Sequence, residues 1–192
     1  MFTKPIPLIS LFIWIGFVAY GFFFSPNQTP DYDWELIQAP FKNSYTGFEP
    51  SVIGVFLAMG LIVFLLGSLL LPGRRYFSLP FLPFWIGSMF VGAGAILPYL
   101  IWRGERLESL SSSQSNRLEK LFTHRYSTIA LLVGVVFMVG YGFFAGNSAE
   151  YLRIFQLSRL VNVMSFDFLI LMLFALPIAW YERETNLSQK AA

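Results

Sequence analysis

Asp167 is the residue through which this sequence could most readily do chemistry, because it is the one charged side chain inside a long apolar run. By helical rise it lies about 10 Å into its helix, where an unpaired carboxylate in hydrocarbon would be expensive. It must therefore be paired, protonated or turned toward a protected interior. Such a group can serve as a proton or cation site, or ligate a bound pigment or metal. It can equally do no more than hydrogen-bond a neighbouring helix. The spans laid out below predict a bond to Tyr141 or to one of Arg74, Arg75, Arg153 and Arg159.

Ser158, Asn162 and Ser165 are spaced four and three apart, which aligns them as a polar stripe on one helical face. Asp167 lies about 140° around the axis from Asn162 and points elsewhere. The stripe is expected to pack on another helix through small-residue and amide contacts, with a cofactor pocket as the alternative. Tyr141 joins Asp167, Asn162 and Ser165 in a candidate intramembrane polar site.

His124 is the only histidine. It rules out a multi-histidine metal site, and no metal site is expected. It can still be read as an axial ligand to chlorophyll or haem, or as a solvated interfacial side chain. Gly134, Gly140, Gly142 and Gly146 are read as close-approach positions for helix packing, with Gly142 and Gly146 at small-xxx-small spacing. Gly87, Gly92 and Gly94 are read in the same way. The absence of cysteine removes disulfides, thiolate ligands and a Cys nucleophile. No phosphate loop, zinc-protease motif or nucleophile elbow is present. No catalytic residue is assigned, and an enzyme is not expected.

The elements that hold these residues follow from composition. With 56% hydrophobic and 12% charged residues, the 192-residue chain is too apolar for an ordinary soluble domain. A net charge of +2, spread along the chain, leaves no footprint for nucleic acid. A bilayer crossing needs about 20 apolar residues. Five runs qualify: 5–24, 52–71, 83–102, 128–146 and 160–181. The fold expected is all-α, a polytopic membrane protein of about five transmembrane helices in a single domain over 1–182, with a disordered tail over 183–192. No small-x-small cleavage site follows the first run, which reads as an uncleaved span.

Pro98 and Pro177 lie inside runs and free carbonyls that need partners other than lipid. Trp14, Trp85, Trp102 and Trp180 read as headgroup anchors. The 25–50 loop is acidic and aromatic and is expected to lie on the membrane or a partner. The 103–127 loop, rich in serine, reads as a flexible turn. Five crossings put Lys4, Arg74, Arg75, Arg153 and Arg159 on one side, and Lys42, Arg103, Arg106, Arg117, Lys120, Arg125, Arg183 and Lys190 on the other. That division leans weakly toward a cytoplasmic C-terminus.

Ala19-Tyr20-Gly21-Phe22-Phe23 is echoed by Gly140-Tyr141-Gly142-Phe143-Phe144. With five crossings the two copies would have opposite topologies, an inverted two-helix repeat of helices 1–2 and 4–5.

Leu97-Pro98-Tyr99-Leu100 with Arg103, and the stretch from Gly142 through Asn162-Val163-Met164-Ser165 to Asp167, resemble uncharacterised membrane proteins of cyanobacteria and plastids. The second stretch is similar to a small two-helix family ending in Asn-x-x-Ser and an Asp. The resemblance implies a cyanobacterial thylakoid membrane and brings no activity with it. The expectation is a non-catalytic accessory or assembly subunit of a photosynthetic complex, with other membrane proteins and the lipid bilayer as partners. Chlorophyll or carotenoid contacts would then arise through association. The alternative is a small ion or solute transporter or channel with Asp167 as its ionisable site.

Overall fold

The computed structural model describes residues 5–42, 44–71, 79–102, 124–181 and 183. Every described element is helical. The 103–123 part of the serine-rich loop, Arg74 and Arg75, and the tail beyond Arg183 lie outside the described residues.

α1 (Pro5–Ala19) runs on into a π turn, Tyr20–Phe24. α2 (Pro30–Lys42) is short and two-sided: it buries Leu36 and Ala39 and exposes Trp34 and Phe41. α3 (Pro50–Leu70) opens with proline in its first turn, where a missing N–H costs little. α4 (Phe81–Val91) and α5 (Ala93–Trp102) follow. α6 (Arg125–Ala145) leads to a second short two-sided helix, α7 (Ser148–Leu157), which buries Ile154 and exposes Leu152. α8 (Arg159–Ile170) continues through a π turn, Leu171–Ala175, and stays helical to Tyr181. The acidic loop of the sequence is thus largely α2, folded onto this protein's own helices.

Among the described residues, three helices are long and apolar enough to cross a membrane: Pro50–Leu70, Arg125–Ala145 and Arg159–Tyr181. They correspond to the second, fourth and fifth expected spans. The first, Leu8–Phe24, is apolar but shorter.

The third expected span is not one helix. Gly92, at φ +51° and ψ −123°, separates α4 from α5, and the chain turns back on itself there. In a continuous helix Phe81 and Tyr99 would be about 27 Å apart along the axis. Their ring centroids lie 5.1 Å apart, edge to face. Phe84 also meets Tyr99, and a Cβ on Gly87 would touch Ala95 at 3.4 Å. α4 and α5 are therefore the antiparallel arms of a hairpin with Gly92 at its tip. An arm of 11 residues reaches about 16 Å, half the hydrocarbon thickness.

The hairpin changes the direction of everything after it. α3 and α6 pack antiparallel along their length: the start of α3 meets the end of α6 at Gly54 and Gly142, and Ser68 meets Thr128 at the other end. The ends of α1, α2, α6 and α7 gather at one end of the bundle, where Tyr20 packs on Phe166 and the Gln28 N–H donates to the Leu157 carbonyl. The base of the hairpin lies at the other. The two aromatic-glycine echoes thus close helices that run the same way, α1 and α6. The opposed topologies expected of them presumed that residues 83–102 cross.

The main core lies between α3, the hairpin and α8, with Ile62, Leu66 and Leu69 against Ile96, Leu97 and Leu171. At the α3–α6 seam a Cβ on Gly54 would sit 2.7 Å from the Met138 carbonyl oxygen and 2.9 Å from the Gly142 Cα. Both obstacles are backbone. Gly54→Ala should therefore destabilise by about 1–3 kcal/mol, as overpacking does. Thermal unfolding in detergent measures it, with Gly60→Ala, which meets nothing within 4 Å, as the control.

Candidate functional site

Asp167 is 4% exposed and lies against the hairpin tip. The N–H of Ala93, the first residue of α5, donates to Asp167 Oδ1 at 2.6 Å. The opening turn of a helix presents N–H groups without intrahelical acceptors and the positive end of the helix dipole. Asp167 thus caps a helix that begins 74 residues away in sequence. Room for it exists because residue 92 is glycine. A Cβ there would stand 1.6 Å from Asp167 Oδ2.

Of the expected partners, Arg74 and Arg75 lie outside the described residues, and the bond described for Asp167 is to the Ala93 N–H. Tyr141 lies on α6 and is 42% exposed. Arg153 pairs with Glu150, its Nη2 2.6 Å from Oε1. The acceptor's partner is a backbone N–H, which exists only because the third apolar run breaks at Gly92.

The second anchor of the hairpin is Trp14. Pro98 has no N–H, so the carbonyl four residues before it, that of Gly94, loses its intrahelical donor. Trp14 Nε1 donates to that oxygen at 3.0 Å. The freed carbonyl is satisfied by protein, as the sequence required. Trp85 Nε1 donates to the Val63 carbonyl at 3.0 Å, with its indole lying over Gly67. Both tryptophans, expected at the headgroups, act inside the bundle. Trp102, 56% exposed, and Trp180, 45% exposed, lie on the outside. Trp14→Phe should cost about 1–3 kcal/mol, the penalty of an unmade buried hydrogen bond. Trp102→Phe, measured in the same way, should cost little.

Asp33 and Glu49 repeat the theme outside the apolar core. Asp33 Oδ2 accepts from the Leu160 N–H at 3.1 Å, and its Oδ1 accepts from the Ser158 hydroxyl, at the start of α8. Glu49 accepts from the Ser51 N–H at the start of α3 and from the Asn147 N–H before α7. Three carboxylates therefore hold helix N-termini.

The polar stripe packs on α2 and α7. Ser158 meets Asp33 and caps Val161. Asn162, 3% exposed, donates through Nδ2 to the Phe155 carbonyl at 3.1 Å. The Ser165 hydroxyl lies 2.6 Å from that of Tyr151. His124 is exposed and caps α6, its Nδ1 accepting from the Tyr126 N–H at 3.4 Å. Gly142 and Gly146 press on α3 at Ser51, Gly134 faces Leu61, and Gly140 faces open space. The candidate polar site is thus not one site: Asp167 belongs to the hairpin, Asn162 and Ser165 to the α7–α8 corner, and Tyr141 to the outer face.

No known protein family, curated protein or solved structure matches the chain.

Gly92 and Trp14 are the working residues that the sequence reading placed in other roles. The signal for Gly92 was Gly92-Ala93-Gly94 midway along an apolar run with Pro98 soon after. Each residue is ordinary in a packed span. Together they mark a turn. Tyr151 and Gly54 carried no comparable signal.

Proposed function

We propose that this chain is a non-catalytic integral membrane protein that joins a larger membrane complex as an accessory or assembly subunit. The resemblance to thylakoid proteins makes a photosynthetic complex of a cyanobacterial thylakoid membrane the assembly to examine first, with pigment contacts arising through association. The observation that carries the reading is the use made of Asp167. The one charged group in the apolar runs is sealed at 4% exposure and bonded to backbone. α6 supports the association, since it offers Val136, Phe137, Phe143 and Phe144 outward beside the open Gly140.

In this reading α1–α2–α3 and α6–α7–α8 are duplicated units in parallel, an apolar helix, a short two-sided helix and an apolar helix, with the hairpin between them. Among the described basic residues, Arg125 and Arg183 lie at the end of the hairpin base, and Lys42, Arg153 and Arg159 at the opposite end.

Native purification with mass and absorption spectra tests the reading. The protein should co-migrate with a larger, pigmented complex. If it runs alone and colourless, the proposal fails. A second reading, a small transporter or channel, is favoured by the broken apolar pair with a carboxyl at its tip, a device that other membrane proteins use to line ion paths. It requires flux in proteoliposomes that Asp167→Asn abolishes.

A further inference from the structure

The two short helices, α2 and α7, each have three faces rather than two. Leu36 and Ala39 of α2 point into the protein, where Leu36 joins a small core with Val52, Ile154 and Val161. Trp34, Ile37 and Phe41 are exposed, and at about 100° per residue they fall within about 60° of one another on nearly the opposite side. Asp31, Glu35 and Lys42 occupy a second exposed arc between these two. α7 repeats the arrangement in the same rotational order: Ile154 inward, then Phe155 and Leu152, then Gln156 and Arg153. A helix on the surface of a soluble protein needs only an apolar face inward and a polar face outward, because all that it exposes meets water. Here the exposed surface is itself sorted into an apolar strip and a charged strip. Such sorting calls for two media outside the protein.

The connections fix the level at which the two helices lie. Gly146 and Asn147 alone separate α6 from α7, and Ser158 alone separates α7 from α8. α6 and α8 are two of the helices long and apolar enough to cross a membrane. α7 therefore lies where one crossing ends and the next begins. α2 is held at the same level, since Asp33 accepts from Ser158 and Leu160 at the start of α8, and Leu36 packs with Val52 and Val161 near the starts of α3 and α8. The apolar strip of α2 also follows directly on Phe22, Phe23 and Phe24, all exposed, at the end of the first apolar helix. At the edge of a bilayer, hydrocarbon lies on one side of such a helix and water on the other.

We propose that α2 and α7 are interfacial helices that lie along the membrane boundary, with Trp34, Ile37 and Phe41 of α2 and Leu152 and Phe155 of α7 embedded among the lipids. These side chains reach about 5–10 Å into the boundary between headgroups and acyl chains. The charged strip, with Glu35 and Lys42 on α2 and Arg153 on α7, faces the headgroups and water. Two helices anchored in this way fix the depth and tilt of the bundle in the bilayer. The inference rests on the membrane-spanning part of the proposed function and is independent of the accessory-subunit part.

The test uses the full chain in liposomes, with one introduced cysteine at a time carrying a nitroxide label. Ile37→Cys, Phe41→Cys and Leu152→Cys report the apolar strips, Glu35→Cys and Gln156→Cys the charged ones, and Phe137→Cys the outward face of α6. Oxygen concentrates in hydrocarbon, whereas a nickel chelate stays in water. The ratio of oxygen to nickel accessibility should be at least about threefold higher on the apolar strip than on the charged strip of the same helix, and highest at Phe137→Cys. Fluorescence quenching by lipids brominated near the headgroup, measured as the difference between the parent and Trp34→Phe, gives the same reading without a label. If nickel reaches both strips alike while Phe137→Cys stays protected, the interfacial placement is overturned and the membrane-spanning reading stands. If nickel reaches Phe137→Cys as well, both fall. Labels on the apolar strips shielded from both reagents would mean a protein surface there, such as a second copy, and would also overturn the proposal.

Discussion

Gly92→Val is expected to be the most damaging single substitution in the chain, lowering stability by at least about 3 kcal/mol. A β-branched residue at φ +51° carries backbone strain of roughly 1–3 kcal/mol. Its Cβ would also occupy the place of the Asp167 carboxyl, 1.6 Å from Oδ2. Displacing that carboxyl leaves the buried Ala93 N–H without its acceptor, a further cost of about 1–3 kcal/mol. Thermal unfolding in detergent, followed by tryptophan fluorescence, reads the loss, since Trp14 and Trp85 both touch elements the hairpin would drag with it. Gly94→Ala is the control, because a Cβ there meets only Val91 at ordinary contact distance. Equal losses in the two variants would show that the tip has no special geometry.

Asp167→Leu is expected to cost about 1–3 kcal/mol, and Asp167→Asn much less. Leucine removes the acceptor for Ala93 and leaves that N–H buried. Asparagine keeps a side-chain oxygen in the same place, and Asn and Asp are about equally good at helix N-termini. Paired with Gly92→Val, Asp167→Leu should be strongly non-additive, because both break the same contact. The pattern separates a cap from an ionisable transport site. A cap needs an oxygen, whereas a proton or cation site needs a carboxyl that can change charge. If Asp167→Asn were as damaging as Asp167→Leu, the cap would not account for this residue.

The legible and illegible parts of this fold divide along a physical line. Helices α3, α6 and α8 were visible because about 20 apolar residues in one run have few other uses. Residues 83–102 met the same criterion and form something else. A hydropathy window cannot tell one helix of 20 residues from two arms of half the length, since both bury the same side chains. What separates them is the backbone at one glycine.

Asp167 stood out in the sequence because charge is rare in hydrocarbon. Its partner did not, because a backbone N–H has no residue type to read. Trp14 shows the reverse. Pro98 announced a carbonyl in need of a donor, yet nothing in the sequence said that the donor lay 80 positions away. The acidic 25–50 loop read as lying on the membrane or a partner, yet Asp33 caps α8 from within α2, and Glu49 caps α3 while accepting from the Asn147 N–H.

The central claim is that residues 81–102 enter and leave on one side, with Asp167 holding the tip. The absence of cysteine makes it directly measurable, since each introduced thiol is the only one in the chain. Pro80→Cys, Trp102→Cys and Thr46→Cys, each in sealed vesicles of one orientation, would be treated with a membrane-impermeant maleimide. Pro80→Cys and Trp102→Cys should react from the same side, and Thr46→Cys from the other. Labelling of Pro80→Cys and Trp102→Cys from opposite sides would mean that this segment crosses, and would contradict the account.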